Sequence, residues 1–370
     1  MYTNKKTRTC GKISEGVFWN HPSTRQLARG MEETVKAVCV NANRKLEVQD
    51  VPTPNDPPPG HLIVDIEAAA INHGDKSFLA NPGTAGALLK SSAYGIWGAS
   101  CAGTVRAVGV GLSAELVGRN VAIYRSLSQS EHTVGLWSEQ ALVPRTSCVV
   151  LPKSVSARDY SGSLVNVMTA HAFLEETAEA HKGVIVTAGS SATGLAMAAL
   201  ARKRGVPAIF LVRSAEAAAT LRALGIEHVL VTSDAGFESD LGKLVAEFGA
   251  TAVFDGVGGD LTSRIAPQLP MNSTIYFYGL LGAATPVTIS SFVFMAKNLV
   301  LKRFSNFASA TVTDPQRLAA AITYLEGVID DPLFHTRVGK EFAFDQIDAA
   351  MAYEATPGAK AVLVARKTSA

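Results

Sequence analysis

The chain has 370 residues, 47% of them apolar and 18% charged, and its formal net charge at pH 7 is +2. A chain of this composition buries large apolar cores, which excludes a disordered protein, and at roughly 150 residues per domain the length allows two or three domains. There is no run of eighteen apolar residues and no basic run, which excludes a membrane-spanning helix and argues against a nucleic-acid partner.

The first thirty residues differ in charge from the rest of the chain. They hold six basic residues and one acidic residue, and they lack the contiguous apolar core of a secretory signal. Met31 then precedes an alternating apolar pattern that starts at Thr34 and looks like a natural beginning. We therefore expect residues 1–30 to be a disordered, dispensable leader, with a mitochondrial transit peptide as the alternative.

The four cysteines, Cys10, Cys39, Cys101 and Cys148, are far apart and form no C-x-x-C pair. Neither a structural zinc site nor a disulfide framework is indicated by this spacing. Reduced thiols are typical of the cytosol, so we predict a cytoplasmic protein, or a mitochondrial one if the leader acts as a transit peptide.

Residues 34 to about 150 have the pattern of a β-rich, barrel-like domain. Short apolar strands alternate with Gly, Pro and Asn, and residues 52–59 form a proline-rich connector. The strands are predicted over residues 34–40, 61–72, 104–109 and 119–125.

After about residue 165 the pattern changes to strands that alternate with helices. Six apolar strands in such an alternation indicate a doubly wound parallel sheet. The strands are predicted over residues 183–188, 207–212, 228–232, 251–255, 273–279 and 299–304, and the helices over residues 193–204, 215–224, 238–248 and from about 260. Two further helices, 314–328 and 345–355, precede a last strand, 361–366.

The first of these strands runs into a turn of small residues that opens a helix. Backbone N–H groups and the positive end of a helix dipole suit a pyrophosphate at such a place. The glycine fingerprint is degraded, since Ala188 and Ser191 stand where its first two glycines would be, and a tight turn before any packed helix would use the same small residues. The candidate cofactor-binding residues are Gly189, Ser190, Ser191, Ala192, Thr193 and Gly194.

The end of the second strand points to the form of the cofactor. Arg213 and Ser214 stand where an acidic residue would bind the ribose of NAD, and an arginine beside a serine suits the 2′-phosphate of NADP(H). The alternative is that Arg213 is an ordinary solvated side chain. Glycines also follow the fourth and fifth strands, which adds Gly256, Val257, Tyr278 and Gly279 to the candidates.

Several motifs, in this order along the chain, resemble the medium-chain dehydrogenase/reductase superfamily. They are residues 71–75, 98–105, Gly118 with Val121, Thr169 with Ala170, and 358–363. The resemblance covers residues 34 to 366 and implies an α/β fold, with a GroES-like β-rich catalytic domain over 31–165 and 305–370 and a Rossmann-type NADP-binding domain over 166–304. It also implies that Asn166, Thr169 and Lys360 contact the cofactor.

Zinc-dependent members of this superfamily carry Cys at the position of Asn72, His-Glu around Ala99 and Ser100, and another Cys just before Thr169. All of these ligands are missing here, so we predict no bound metal. The chain is most similar to the zinc-independent, quinone-reductase-like branch.

Some details resemble the 2-enoyl thioester reductases of that branch, among them Asn166 ahead of Thr169, and Tyr278. Those enzymes carry a proton-donating Tyr shortly after the N-x-x-D element, whereas residues 80–83 contain none, and Tyr94 is the nearest tyrosine. Asn72 and Tyr94 are therefore the candidate catalytic residues, with ordinary packing at a strand end as the alternative for both.

Without a metal, a nicotinamide delivers hydride best to an acceptor that is already electrophilic. The expected function is therefore NADPH-dependent reduction of a quinone or an α,β-unsaturated carbonyl compound. The alternatives are a 2-enoyl thioester reductase and a non-catalytic NADPH-binding protein. The apolar strand 299–304 ends the sheet, and pairing of this edge predicts a homodimer.

Overall fold

The computed structural model describes residues 33–80, 92–282, 285–356 and 358–365. The predicted leader, residues 1–30, lies outside these described residues. Among them, the strands are β1 (Thr34–Val40), β2 (Leu46–Pro52), β3 (His61–Ala70), β4 (Ser100–Val108), β5 (Asn120–Tyr124), β6 (Gln140–Pro144), β7 (Cys148–Val150), β8 (Gly183–Val186), β9 (Ala208–Val212), β10 (Val229–Val231), β11 (Ala250–Asp255), β12 (Thr274–Phe277), β13 (Val300–Arg303), β14 (Arg337–Ala343) and β15 (Ala359–Val364).

The helices within the same described ranges are α1 (His73–Ala80), α2 (Ser163–Thr177), α3 (Ala192–Arg204), α4 (Ala215–Ala223), α5 (Phe237–Phe248), α6 (Gly259–Ile265), α7 (Ser291–Ala296), α8 (Ala310–Thr313), α9 (Pro315–Glu326) and α10 (Ile347–Ala352).

A six-stranded parallel sheet has the strand order β10-β9-β8-β11-β12-β13. Its central strands β8 and β9 are apolar because both faces of the sheet are covered there: Val184 and Val186 of β8 pack into one core, and Ile185 packs into another on the opposite face. The predicted doubly wound parallel sheet is confirmed. Its strand order reverses between β8 and β11, and the turns that follow these two strands meet at that point.

A second sheet has the order β14-β15-β3-β4-β5-β7, and β6 also pairs with β3. The C-terminal strand β15 returns to the N-terminal half of the chain, where Val362 pairs with Ala70 of β3. This pairing brings residues that are almost 300 positions apart in the sequence to one end of the sheet. β1 and β2 form a separate antiparallel pair.

The structure contains several elements that the sequence analysis did not predict. They are the helices α1, α2, α7 and α8 and the strands β2, β6, β7 and β14. α2 is buried on most of its faces and begins at Gly162, whose lack of a side chain leaves the usual N-cap signal absent. Strand β3 ends at Ala70 rather than at Asn72, because Asn72 enters the turn that starts α1. Since α2 crosses the junction predicted at residue 165, the predicted domain limits remain a proposal.

Candidate functional site

The turn between β8 and α3 is built by close backbone packing. A Cβ atom on Gly194 would lie 2.4 Å from the backbone oxygen of Gly189, so only glycine fits there. Ser191 is the N-cap of α3, and its Oγ accepts a hydrogen bond from the Gly194 N–H at 3.1 Å. The first-turn N–H groups of Ala192 and Thr193 have no partner inside the helix and are available to an anion.

Ala188 stands where the fingerprint has a glycine, and its backbone also adopts a conformation that favours glycine. Its φ is +50°, in the left-handed region that glycine occupies at little cost and alanine does not. A non-glycine residue held in this region is typical of a functional turn whose shape is imposed by its surroundings. The structure therefore retains the shape of the fingerprint that the sequence has partly lost.

The two residues expected to bind a 2′-phosphate lie where β9 ends. Arg213 is exposed and forms no ion pair with the described residues. Ser214 is the N-cap of α4, and its Oγ accepts a hydrogen bond from the Ala217 N–H at 3.2 Å. The Ser214 oxygen is the acceptor in this bond, so the Ser214 O–H can still donate a hydrogen bond to a ligand.

The turns after β11 and β12 pack against each other. The Oδ1 atom of buried Asp255 accepts hydrogen bonds from the Val257 and Gly258 N–H groups at 2.9 and 3.0 Å. Gly256 has no room for a side chain, because its Cβ would lie 2.6 Å from the hydroxyl oxygen of Tyr278. A Cβ on Gly279 would in turn lie 2.8 Å from the backbone oxygen of Gly256. These candidates form one wall beside the turn of α3.

Tyr278 connects this wall to the turn. Its ring stacks on that of Phe254 with 3.9 Å between centroids, and its hydroxyl hydrogen-bonds to Ser191. Burial raises the pKa of Tyr278 well above its ordinary value, so the hydroxyl stays protonated at neutral pH.

One face of α2 carries polar side chains toward both sheets. The Thr193 hydroxyl of α3 donates to Asn166 Oδ1 at 2.9 Å. One turn further along α2, Thr169 Oγ1 accepts a hydrogen bond from Asn306, whose Oδ1 accepts one from the buried Tyr124 hydroxyl at 3.0 Å. The predicted pair Asn166 and Thr169 therefore lies between the dinucleotide turn and the end of β5.

Asn72 is the centre of a buried polar cluster that we name the Asn72 cluster: Asn72, Asp75, Ser100 and Lys360. The Lys360 ammonium donates to Asn72 Oδ1 at 2.8 Å, and Asn72 Nδ2 donates to Ser100 Oγ at 2.8 Å and to Asp75 Oδ2 at 3.1 Å. Asp75 also accepts hydrogen bonds from the backbone N–H groups of Asn72, at 2.7 Å, and Ala99, at 2.9 Å. Every polar group of the Asn72 side chain has a partner.

The charges of the cluster are perturbed by burial. Burial lowers the pKa of Lys360 to about 8, and the Asp75 charge opposes this shift. Burial also raises the pKa of Asp75, against its three hydrogen bonds and the nearby charge of Arg125. The pKa of the Lys360 ammonium thus lies much closer to neutral pH than that of an ordinary lysine.

A tight contact joins the strand of Lys360 to the dinucleotide turn. A Cβ on Gly358, whose φ is +83°, would lie 2.8 Å from the backbone oxygen of Ser190 and 3.5 Å from Nη1 of Arg337. Arg337 forms no ion pair with the described residues, and its Nη1 lies beside Gly358. Two regions distant in sequence, the start of β15 and the turn before α3, therefore adjoin.

Tyr94 is not a member of the Asn72 cluster. It lies on a turn with φ +59°, is 52% exposed, and its hydroxyl forms no hydrogen bond with the described residues. Its catalytic role stays a prediction.

Sequence reasoning missed Asp75, Ser100, Tyr124 and Arg337 as site residues, whereas residues 304–307, with Asn306 among them, were expected to border the pocket or a subunit contact. Asp75 and Ser100 lie inside motifs that the sequence analysis quoted, so a buried acid three residues after Asn72 was a readable signal. Nothing in the sequence marks Tyr124 and Arg337, because their partners come from distant segments.

The described residues contain no group of three or more His, Cys, Asp or Glu side chains that could hold a metal ion. The positions at which zinc ligands were sought hold the amide of Asn72, the methyl group of Ala99 and the hydroxyl of Ser100. Within the same described residues, no helix is long and apolar enough to cross a membrane.

Two protein-family models match the chain. The alcohol dehydrogenase GroES-like domain matches residues 58–153, and the zinc-binding dehydrogenase model matches residues 192–325. The first match identifies the sheet around β3 and β4 as GroES-like. Although the second model is named for zinc, the residues present do not fit a zinc ion.

The curated relatives include two kinds of reductase. A mitochondrial enoyl-[acyl-carrier-protein] reductase of Dictyostelium discoideum is 25% identical over 253 residues, which are 66% of this chain and 68% of that protein. A protein of Leishmania amazonensis named as a probable quinone oxidoreductase is 25% identical over 300 residues, 76% of this chain and 84% of that protein.

Solved structures share the whole fold. An alcohol dehydrogenase superfamily protein from Novosphingobium aromaticivorans has a TM-score of 0.72 at 19% identity and covers 90% of this chain and 100% of that one. A mycobacterial protein solved in complex with NADPH has a TM-score of 0.66 at 24% identity and covers 89% and 99%. The predicted fold class, a parallel doubly wound sheet with a GroES-like β-rich part, is confirmed.

Proposed function

We propose that the chain, as a member of the medium-chain dehydrogenase/reductase superfamily, is a zinc-independent, NADPH-dependent oxidoreductase that reduces an electrophilic small molecule. The acceptor class is a quinone or an α,β-unsaturated carbonyl compound. Relatives that are named as quinone and enoyl reductases support this choice.

The observation that carries the proposal is the contact of Gly358 with Ser190. It places the strand of Lys360, and with it the Asn72 cluster, against a turn shaped for a dinucleotide. A purely structural polar cluster would not need this position beside an anion-binding turn.

NADPH fits the residues that are present. The N–H groups of the turn and the Arg337 guanidinium would hold the diphosphate, and Arg213 with Ser214 would hold the 2′-phosphate. Asn166 and Thr169, on the face of α2 that joins the turn to the β-rich part, would border the nicotinamide. When bound, the cofactor supplies the hydride.

The protein's own contribution is then orientation and hydrogen bonding. The Asn72 cluster offers donors that are held in place before the acceptor arrives, and such preorganised donors stabilise an oxygen that gains negative charge. Removal of a proton from an unactivated alcohol would need a Lewis acid or a strong base, and the cluster contains neither. We therefore expect alcohols to be poor substrates.

A 2-enoyl thioester reductase is the second candidate, and the naming of relatives as enoyl-[acyl-carrier-protein] reductases favours it. The absence of a tyrosine from residues 80–83 opposes it, although that stretch from residue 81 on lies outside the described residues. Comparison of a quinone, a simple enone and a crotonyl thioester separates the two candidates.

The test is NADPH oxidation with this panel, run beside calorimetric titration of NADPH into the protein. We expect micromolar binding and turnover of at least one acceptor. Binding without turnover of any acceptor would support a non-catalytic NADPH-binding protein instead. Elemental analysis of the same sample should find less than one zinc per chain, and a full equivalent would contradict the zinc-independent assignment.

The proposal includes a homodimer. β13 is the edge strand of the parallel sheet, and exposed apolar side chains lie on it and on the segment before it, at Leu280, Phe292, Met295 and Val300. Such an edge favours pairing with a second copy. Light scattering at micromolar concentration should give twice the monomer mass of 38.9 kDa.

We also propose a cytoplasmic location, which the free, buried thiols of Cys39, Cys101 and Cys148 support. Imaging of the full-length chain with a C-terminal fluorescent tag tests this against mitochondrial import.

A further inference from the structure

We propose that Lys360 is the proton donor of the reaction and that Asn72 and Asp75 are the residues that position it. The inference rests on the proposed function and assigns a residue to a step that the proposed function leaves open.

Reduction of an α,β-unsaturated carbonyl needs a proton as well as a hydride. The β-carbon accepts the hydride of the reduced nicotinamide, the C=C π bond breaks, and its electron pair moves to give an enolate. An N–H bond of the Lys360 ammonium then breaks as a new C–H bond forms at the α-carbon. The acceptor is reduced, NADPH is oxidised to NADP⁺, and the neutral amine regains a proton from water.

The geometry leaves the ammonium free to do this. One of its three protons is held by Asn72 Oδ1 at 2.8 Å, and this is its one hydrogen bond to the described residues. Its methylene stem packs over Gly162, where a Cβ atom would lie 3.1 Å from Lys360 Cδ. The chain thus confines the stem, and two N–H bonds of the ammonium have no partner among the described residues, so they can donate to a ligand.

The other proton-bearing groups nearby are occupied or too weakly acidic. The Tyr124 hydroxyl already donates to Asn306, and burial raises its pKa. Ser100 is an alcohol whose oxygen accepts from Asn72. The Arg125 guanidinium, whose Nη1 donates to the backbone oxygen of Ile96, keeps its protons because arginine does not deprotonate in proteins.

Asp75 sets the acidity of Lys360 through space. Strand β15, which carries Lys360, packs against β3, β14 and α10, and Asp75 lies on α1 beside Asn72. The charged or titratable side chains of the three packed elements are His61, Asp65 and Glu67 on β3, Arg337, Lys340 and Glu341 on β14, and Asp348 on α10. Among all these groups, Asp75 is the one that raises the pKa of Lys360 against burial. Neutralising Asp75 should therefore lower that pKa further, below about 8.

The first test measures the proton itself and needs no turnover. Lysines of the cofactor-free protein are dimethylated with ¹³C-formaldehyde, and their NMR signals are followed from pH 6 to 11. The signal missing from Lys360→Arg should titrate near pH 8. In Asp75→Asn the Lys360 midpoint should fall. A Lys360 midpoint near 10 in the wild type would overturn the proposal.

The second test separates proton donation from cofactor binding. For Lys360→Met and Lys360→Arg we expect kcat to fall roughly 100-fold or more, the usual contribution of a positioned general acid. The Kd of NADPH, measured by calorimetry, should change less than about threefold. Exposed Lys340→Met is the matched control and should leave both unchanged.

The pH dependence of kcat shows which protonation state of Lys360 is active. The donor must carry its proton, so wild-type kcat should fall as the pH rises through about 8, and in Asp75→Asn the fall should begin at lower pH. Weak NADPH binding with full kcat at saturation in Lys360→Met would show a cofactor ligand and refute the proposal. If the wild type reduces no acceptor at all, the proposed function fails, while the NMR titration still decides whether Lys360 is poised to titrate.

Discussion

The dinucleotide turn and the Asn72 cluster adjoin in the fold but are built in opposite ways. The turn is made by seven consecutive residues, 188–194, whose backbone packs so closely that Gly194 cannot carry a Cβ. The cluster is made by side chains, and its two bonded members Lys360 and Asn72 are 288 positions apart in the sequence. The turn is defined by the packing of its backbone, whereas the cluster depends on the identity of each side chain.

This difference has an energetic consequence. A backbone turn loses function when an atom is added, because the added atom displaces the chain. A buried polar cluster loses stability when an atom is removed, because its partners are left without hydrogen bonds in a medium of low dielectric constant. Substitutions in the turn should therefore change mainly NADPH affinity, and substitutions in the cluster should change mainly the free energy of unfolding.

The largest effect is expected in the Asn72 cluster. Asp75→Ala removes the acceptor of two buried backbone N–H groups, those of Asn72 and Ala99. An unsatisfied buried donor costs about 1–3 kcal/mol, so the loss of two acceptor contacts should lower the free energy of unfolding by roughly 2–6 kcal/mol. Urea denaturation measures this, and exposed Asp348→Ala on α10 is the control. A loss as small as that of the control would show that water replaces the carboxylate.

The same contrast explains what the sequence could predict. The six parallel strands follow from local apolar runs, and the dinucleotide turn is contiguous, so both were predicted. The partnership of Lys360 with Asn72 depends on the pairing of β15 with β3, which no local pattern encodes. The resemblance to a family implied that Lys360 contacts a cofactor. It did not predict the hydrogen bond of Lys360 to Asn72 or the effect of the Asp75 charge on its pKa. α2 was missed because it is buried on most faces and so lacks helical periodicity.

The next effect in size is expected at the turn. In Gly194→Ala the new Cβ would meet backbone oxygens of Gly189 and Ala188 at 2.4 and 2.8 Å, so the turn must move. We expect NADPH affinity to fall about 100-fold, roughly 2.7 kcal/mol. The control is Gly242→Ala within α5, where a Cβ would lie 3.5 Å from Gln268 and the substitution should be tolerated. Unchanged NADPH affinity in Gly194→Ala would place the cofactor elsewhere.

A smaller and selective effect is expected where β9 ends. Arg213→Asp removes the cation proposed for the 2′-phosphate and adds a repelling charge, so NADPH affinity should fall roughly 10- to 50-fold. NADH lacks this phosphate, and its affinity should stay within about twofold of the wild-type value. Calorimetric titration of both cofactors gives the ratio. A wild type that binds NADH as tightly as NADPH would show that Arg213 is only a solvated side chain.

The smallest effect concerns the one charged side chain that β14 contributes beside the backbone turn. Arg337 is partly exposed and has no acidic partner among the described residues, so its contact with a diphosphate should be worth roughly 1 kcal/mol, as exposed ion pairs usually are. Arg337→Gln should then weaken NADPH and NADH equally, by about fivefold, because both carry the diphosphate. Exposed Arg317→Gln on α9 serves as the control.

A selective loss of NADPH affinity would assign Arg337 to the 2′-phosphate together with Arg213. No loss of affinity for either cofactor would mean that the N–H groups of the turn hold the diphosphate without a side chain. The equal loss is the expected result, since Arg337 Nη1 lies beside Gly358, which packs against the Ser190 backbone oxygen of the turn, whereas Arg213 follows the end of the neighbouring strand β9.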